Sequence, residues 1–309
     1  MNKTILIFTV VLSLCARVVS AQLSMTKTND GILITENKKE VLLYHTTPKN
    51  QNGAYERLNY IHPLYSLNGK VLTEDFPSDH LHHRGVFWAW HQVWIGDKRI
   101  SDGWEIKDFE QTLTEFEFIK NASGLVIIKT EVDWKSDKWK KEGVKVPYLN
   151  EKAMITVHPT SGNVRKIDFE IRLLALEENL KLGGSEDEKG YGGFSVRLNL
   201  PEDVSFTGPD GKIEPLETQV LSNGYVQIAG KFDEGVRGSG VVIVDNPENP
   251  GYPQPWILRA KNSMQNVVWP GREPVAVSTM QPVVLKYSLL IYSGKMNKNK
   301  IEKIITGNK

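Results

Sequence analysis

The strongest constraint on the fold is an alternation of apolar and polar residues that is interrupted by turn-forming sequences. Two pairs of alternating segments carry it: Thr112–Ile119 with Gly124–Val132, and Ala153–His158 with Val164–Leu174. An Asn-Ala-Ser-Gly sequence separates the first pair, and Pro-Thr-Ser-Gly-Asn separates the second. Successive side chains of a β-strand point to opposite faces, and short Gly-containing turns join antiparallel neighbours. The pattern therefore predicts two β-hairpins.

Further segments rich in Val, Ile, Phe and Tyr continue this pattern. They are Phe194–Leu200, Tyr225–Ala229, Gly240–Val244 and Val283–Tyr292. We therefore expect an all-β protein, a large antiparallel β-sandwich that forms one domain over residues 22–295. Helix is expected only near Glu177–Leu182 and in the polar C-terminal tail, residues 296–309, which we otherwise expect to be solvated.

The first 21 residues have the order of a secretory signal peptide. Asn2 and Lys3 precede an apolar run from Ile5 to Cys15, and Val19-Ser20-Ala21 offers small residues for cleavage before Gln22. The run is shorter than the roughly 20 residues of a membrane span. A buried N-terminal strand is the alternative, and the charged–apolar–small order fits it less well. Residues 1–21 thus predict export, to the periplasm or outside the cell.

Export would change the chemistry that is open to the protein. The chain has one cysteine, Cys15, which would leave with the signal peptide, so the mature chain would have no disulfide and no thiolate. Its 38 Lys and Arg nearly balance its 37 Asp and Glu. A near-neutral chain gives no reason to expect nucleic acid or an anionic membrane as a partner.

Histidine is concentrated in one segment, Asp79–His91. Four of the seven histidines lie there, beside a permanent cation: His80, His82, His83 and His91, with Arg84. In an extended segment His80 and His82 would project to one face and His83 to the other. Histidine exchanges protons near neutral pH, and arginine grips carboxylates. The cluster predicts a binding or catalytic site, although any single histidine here also fits a hydrogen-bonded structural role.

A metal site is a second interpretation of the same segment. His80, His82 and His91 would be its ligands, but no diagnostic spacing such as H-E-x-x-H is present. The sequence leaves the cofactor open between none and a single divalent metal.

Aromatic side chains follow the histidines. Trp88, Trp90 and Trp94 offer flat apolar faces of the kind that stack on sugar rings. We expect Trp88 to contribute to substrate binding in this way.

Two further segments are candidates for the same site. In Glu186–Arg197, glycines allow close approach to a ligand, Tyr191 is a potential acid or base, and Arg197 is a second cation. The alternative for this segment is a Gly-rich turn into a strand.

The four prolines of Val244–Trp256 predict a stiff, extended segment that holds Asn249 and Trp256 at the rim of a cleft. The alternative there is a rigid surface loop.

Three segments together resemble the PmoA-like family. They are the D-H-x-H-H-R-G block at Asp79–Gly85, the G-Y-G-G-F-S-V-R block at Gly190–Arg197, and the stretch from Gly240 to Trp256. Two positions depart from the family pattern: Leu81 replaces a common Pro, and Asn246 replaces a common His, which puts a role for that His in doubt here.

The resemblance implies a sandwich similar to the galactose-mutarotase-like supersandwich, in an exported bacterial protein of carbohydrate degradation. The chain is also similar to oligosaccharide dehydratases of ulvan breakdown. That likeness implies a lyase that eliminates water from a non-reducing-end glucuronic or iduronic acid and leaves a 4,5-unsaturated uronyl end. The substrate would be an anionic oligosaccharide.

This elimination assigns a role to each candidate residue. Arg84 or Arg197 would neutralise the uronate carboxylate, which acidifies the C5 proton. One of His82, His83 or His91 would take that proton, and Tyr191 or a second histidine would protonate the leaving hydroxyl. His80, Trp88 and Trp256 would contribute to binding. Two alternatives stay open: a glycoside hydrolase or mutarotase-like epimerase on the same scaffold, and a sugar-binding module without catalysis.

Overall fold

The computed structural model describes residues 22–233, 238–261 and 264–307, so the predicted signal peptide and Cys15 lie outside the described residues. Strands dominate it. In chain order they are β1 (Leu23–Lys27), β2 (Gly31–Glu36), β3 (Lys39–His45), β4 (Lys49–Gln51), β5 (Ala54–Arg57), β6 (Tyr60–Leu64), β7 (Val86–Trp90), β8 (Gln92–Ile95), β9 (Lys98–Ser101), β10 (Glu110–Lys120), β11 (Val126–Lys135), β12 (Lys140–Lys141), β13 (Val144–Lys145), β14 (Leu149–Val157), β15 (Val164–Ala175), β16 (Leu180–Gly183), β17 (Gly192–Arg197), β18 (Ser205–Gly208), β19 (Gly211–Ile213), β20 (Val220–Leu221), β21 (Tyr225–Gly230), β22 (Ser239–Asp245), β23 (Pro255–Ile257), β24 (Met264–Val268), β25 (Val275–Ala276) and β26 (Val283–Ser293).

Two nine-stranded antiparallel sheets form the sandwich. The first sheet has the order β1-β2-β3-β6-β7-β17-β24-β23-β20, and the second has the order β10-β11-β14-β15-β26-β22-β21-β18-β19. A four-stranded sheet, β25-β16-β8-β9, and two short hairpins complete the structure. The predicted hairpins are confirmed: β10 pairs with β11, and β14 pairs with β15. The expectation of an all-β sandwich is likewise confirmed.

One continuous apolar core fills the space between the two large sheets. Phe194 of the first sheet illustrates it: its ring lies 4.6 Å from the ring of Tyr287 and 4.9 Å from that of Phe169, both in the second sheet. Strand alternation supplies these contacts, because every second residue of a strand faces the opposing sheet.

The expectations for helix are half right. Glu177–Leu182 is not helical: a turn leads into β16 there. The tail contains the helix α1 (Lys298–Thr306), and it is not simply solvated, because Ile301 is buried against the second sheet. Ile301, Ile304 and Ile305 lie on one helical face by their spacing, which explains why a polar segment packs.

The outer face of the first sheet, directed away from the core, positions the candidate site. In β7, Val86, Trp88 and Trp90 face the core, whereas Phe87 and Ala89 face outward into a small aromatic cluster. The turns before β7, the loop after β9 and the loop before β17 cover this outer face. Side chains from three separate segments therefore meet above it.

Candidate functional site

The histidine segment forms consecutive turns, so the prediction that His80 and His83 face opposite ways is wrong. The backbone N–H of His80 donates to Pro77 O (3.0 Å), and that of His83 donates to His80 O (2.9 Å). These turns stack the rings of His80 and His83 at 4.6 Å and place the ring of His82 edge-on to His83 at 4.6 Å. The three rings form one compact group.

Arg197 fixes the deepest of these rings. From the end of β17 it donates to Glu74 Oε2 (2.7 Å) and to Asp79 Oδ1 (2.7 Å), and its Nη1 lies 3.3 Å from His83 Nδ1. Because a guanidinium only donates, His83 Nδ1 is the acceptor. Burial, together with the neighbouring His82, lowers the pKa of His83 well below its usual range. His83 is therefore neutral at pH 7.

His82 lies beside a partly exposed carboxylate, that of Glu105. Its Nε2 is 3.7 Å from Glu105 Oε1. Burial lowers the pKa of His82, the charge of Glu105 opposes that effect, and His80 adds to it. The balance keeps His82 in the neutral form, available to accept a proton.

His91 and Asp102 form a dyad. The two residues flank the β8–β9 hairpin, which brings His91 Nδ1 within 3.1 Å of Asp102 Oδ2. The other carboxylate oxygen accepts the backbone N–H groups of Trp104 (3.0 Å) and Glu105 (2.8 Å). When Nδ1 donates to a carboxylate, Nε2 of a neutral ring is left as an acceptor.

The carboxylate of this dyad stays ionised. Burial by itself would raise the pKa of Asp102, but the hydrogen bond and charge of His91, the Glu105 N–H and the charge of Arg99 outweigh it and lower that pKa. Arg99 donates to Asp102 Oδ2 (3.1 Å) and to the carbonyl of His91 (2.9 Å). His91 is thus held by both its ring and its backbone.

Trp104 is the centre around which these groups assemble. Its ring centroid lies 5.3 Å from that of His91, 5.6 Å from that of Tyr191 and 5.9 Å from that of His83. Trp104 therefore joins the histidine segment to the Gly-rich segment.

Tyr191 reaches Trp104 through the turn before β17. Gly190 has a left-handed backbone (φ 60°), and a Cβ there would lie 2.8 Å from the backbone nitrogen of Arg272, so glycine is required. The Tyr191 N–H donates to Ser185 Oγ (2.8 Å), and its hydroxyl accepts from Arg259 (2.8 Å). Burial raises the pKa of the Tyr191 phenol despite the opposing charge of Arg259, so the phenol keeps its proton at neutral pH.

Comparison of the sequence with models of protein families gives one match. The model of DUF6807, a family of unknown function, matches residues 32–306, which include every site residue described above. The chain belongs to the DUF6807 family. No curated protein matches its sequence.

Arg84 of this DUF6807 chain is not a substrate-binding residue, contrary to expectation. Its side chain is fully buried, lies 3.4 Å from the ring centroid of Phe76 and is 3.5 Å from the carboxylate of Asp75. It also donates to the carbonyls of Leu81 and Tyr55. The guanidinium thus fixes the turns beneath the histidines and presents no surface to a ligand.

Three of the tryptophans expected to offer stacking faces in the DUF6807 chain are also buried, whereas Trp94 is partly exposed. Trp88 and Trp90 face the sandwich core, and Trp256 lies fully buried in β23 with its indole N–H directed at Ser222 O (3.3 Å). Asn249 binds the Asp245 carboxylate (2.7 Å). The proline-rich segment therefore builds the sandwich instead of a cleft rim, because tryptophan in a strand serves the core as readily as a surface.

The described side chains do not provide a set of donor atoms for the metal site that the sequence suggested. Within residues 22–233, 238–261 and 264–307, no group of three or more His, Cys, Asp or Glu side chains is arranged to hold a metal ion. His80 and His91, two of the three predicted ligands, each engage a carboxylate with Nδ1 instead. No helix in the same ranges is long and apolar enough to cross a membrane.

Sequence reasoning missed five residues of the candidate site: Glu74, Asp102, Trp104, Glu105 and Arg259. One of them carried a usable signal. Gly96-Asp97 between two four-residue strands is a hairpin turn sequence. A hairpin there brings the residues before and after it, His91 and Asp102, next to each other.

Proposed function

We propose that this DUF6807 protein is a carbohydrate-active lyase, a dehydratase that eliminates water from a non-reducing-end uronic acid of ulvan-type oligosaccharides. One observation carries the proposal. A histidine oriented by a carboxylate and a protonated tyrosine, His91 and Tyr191, pack against the same indole, Trp104. Elimination across C4–C5 needs such a base and such an acid close together.

His91 is the base of the proposed reaction. Its Nε2 is the acceptor nitrogen that results when Nδ1 donates to Asp102. The Asp102 carboxylate also stabilises the imidazolium that forms when His91 takes the C5 proton. His82 is the second candidate, since its ring is neutral and lies near the carboxylate of Glu105.

Tyr191 is the acid. Its phenol retains its proton at neutral pH, and the C4 hydroxyl must be protonated to leave as water. The product would be a 4,5-unsaturated uronyl end.

Arg197 is the cation available to the uronate carboxylate. It is buried, but its two partners, Glu74 and Asp79, are about one-third exposed. A uronate at the opening reaches this guanidinium by replacing one of these two carboxylates. Arg84, the other predicted cation, is too deeply enclosed for that role.

The substrate class rests on the resemblance of the histidine and Gly-rich blocks to the PmoA-like family and to ulvan oligosaccharide dehydratases. The same resemblance, with the signal-peptide order of residues 1–21, supports export to the periplasm or beyond. An anionic oligosaccharide is the partner that this setting favours.

The test is incubation of purified protein with a saturated uronyl-rhamnose oligosaccharide. We expect growth of the ultraviolet band of a conjugated enol ether and a product lighter by one water. Cleaved sugars or anomer exchange without a new double bond would instead identify a hydrolase or an epimerase. Unchanged ligand that still binds would identify a sugar-binding module.

A further inference from the structure

Arg259 lies beside Tyr191 and is held by backbone carbonyls. Its Nη1 donates to the carbonyls of Leu216 (2.6 Å) and Leu258 (2.9 Å). Its Nη2 donates to the carbonyl of Glu217 (2.8 Å) and to the hydroxyl oxygen of Tyr191 (2.8 Å). Four acceptors therefore fix the orientation of the guanidinium.

The charge of Arg259 is not neutralised by direct contact. Among the residues that the structure describes, no Asp or Glu carboxylate lies within 4.0 Å of this guanidinium, whereas Arg197 has two such partners and Arg99 has two. Three of its four hydrogen-bond acceptors are backbone carbonyls, and the fourth is the phenol of Tyr191. An unpaired cation in contact with a half-buried phenol favours the phenolate.

The same contact orients the proton of Tyr191. Its oxygen accepts from Arg259, so its own hydrogen points away from the guanidinium. The ring packs against Trp104, on whose indole His91 also stacks. The Tyr191 hydroxyl group therefore donates its proton in a fixed direction, away from the Arg259 guanidinium. The positive charge of Arg259 lies next to the phenolic oxygen.

We propose that Arg259 is a positioning residue that makes Tyr191 a proton donor, by holding the phenolic oxygen and stabilising the phenolate left after transfer. The inference rests on the proposed elimination. The C5 proton passes to His91, the C4–O bond breaks, and the Tyr191 proton joins the departing hydroxyl as water. Proton return from His91 to the Tyr191 phenolate restores both groups, so no co-reactant is needed.

The first experiment measures the ionisation of Tyr191 directly. The full chain carries 3-fluorotyrosine at position 191, because fluorine lowers the pKa of a phenol and reports ionisation by ¹⁹F NMR. The titration is compared among the parent protein, Arg259→Gln and a matched control, Arg272→Gln. Arg272 is a surface arginine, 63% exposed, whose carboxylate neighbour, Glu273, is 3.9 Å away.

Loss of Arg259 should raise the titration midpoint of residue 191 by about 1–3 pH units, the usual effect of one opposite charge in contact. The control should leave the midpoint unchanged. An unchanged midpoint in Arg259→Gln would overturn the proposal. If that variant fails to fold, Arg259→Lys replaces it. Lysine keeps the positive charge but cannot reach all four acceptors, so Arg259→Lys should raise the titration midpoint of residue 191 by a smaller amount.

The second experiment measures turnover. In a dehydratase assay, Arg259→Gln should lower kcat by about the same factor as Tyr191→Phe, with KM nearly constant, because the guanidinium acts on the transferred proton. A rise in KM alone would contradict this role. If the parent protein shows no dehydration but the NMR midpoint still shifts, the coupling of Arg259 to Tyr191 stands and only the proposed reaction fails.

Discussion

Replacing Asp102 with Asn should abolish most of the proposed elimination while keeping the loop intact. The asparagine carbonyl oxygen can still accept the backbone N–H groups of Trp104 and Glu105, as Oδ1 of the carboxylate does. Its amide nitrogen then takes the place of Oδ2, where it donates to His91 Nδ1 and no longer accepts from Arg99, which keeps its hydrogen bond to the carbonyl of His91. The proton of His91 moves to Nε2, and the ring no longer offers an acceptor to the substrate.

The expected loss of activity follows from the rate acceleration that a general base provides. Proton transfer to a positioned side chain accelerates a reaction by about 10²–10⁴-fold. At about 1.36 kcal/mol for each factor of ten, this corresponds to roughly 3–5 kcal/mol of transition-state stabilisation. We therefore expect kcat to fall by two to four orders of magnitude, with a much smaller change in KM.

The assay combines kinetics with ¹⁵N NMR of histidine, which distinguishes the two tautomers. Asp137→Asn is the matched control, because Asp137 is 61% exposed and pairs with the surface lysines Lys140 and Lys145. The His91 tautomer should switch in Asp102→Asn and not in the control. Retention of kcat within about threefold, together with a switched tautomer, would refute His91 as the base.

Three further predictions concern stability and the role of buried charges. Burial raises the pKa of Glu151 to about 7, so the folded state binds a proton more tightly than the unfolded state. Relative to Glu151→Gln, the free energy of unfolding measured in urea should therefore fall by about 2–3 kcal/mol between about pH 5 and about pH 8, because the opposite contribution of the neutral histidines His82 and His83 is common to both proteins. Phe194→Ala should cost about 3–5 kcal/mol in the same assay, because the ring is fully buried between the sheets, and a loss below about 1 kcal/mol would contradict its packing. Arg84→Gln should cost about 3 kcal/mol by removing the buried cation that packs on Phe76 and lies 3.5 Å from Asp75, and it should leave KM for the oligosaccharide unchanged, whereas a selective rise in KM would restore Arg84 as a binding residue.

Much of the fold could be predicted because strand alternation and turn residues are local signals. The β10–β11 and β14–β15 hairpins follow from them directly. The pairing of β7 with β17, which unites the two site segments, joins residues about a hundred positions apart. No local pattern specifies that pairing.

The candidate site was predictable in part. Clustering of histidine, together with Tyr191 and Arg197, pointed to two segments that the fold brings together around Trp104. Burial could not be predicted: Arg84 and Trp256 have the chemistry of ligand contacts but fill the interior. Asp102 and Arg259 have no unusual sequence neighbourhood, and only the tertiary fold brings them to His91 and Tyr191.

Mass spectrometry of a saturated uronyl-rhamnose oligosaccharide tests the central claim most directly. The oligosaccharide is incubated in parallel with the parent protein, with Tyr191→Phe and with Asp102→Asn. We expect loss of one water with the parent protein and little or none with either variant at equal time and concentration. An unchanged mass with the parent protein, or equal water loss with all three proteins, would contradict the assignment of His91 and Tyr191 as base and acid.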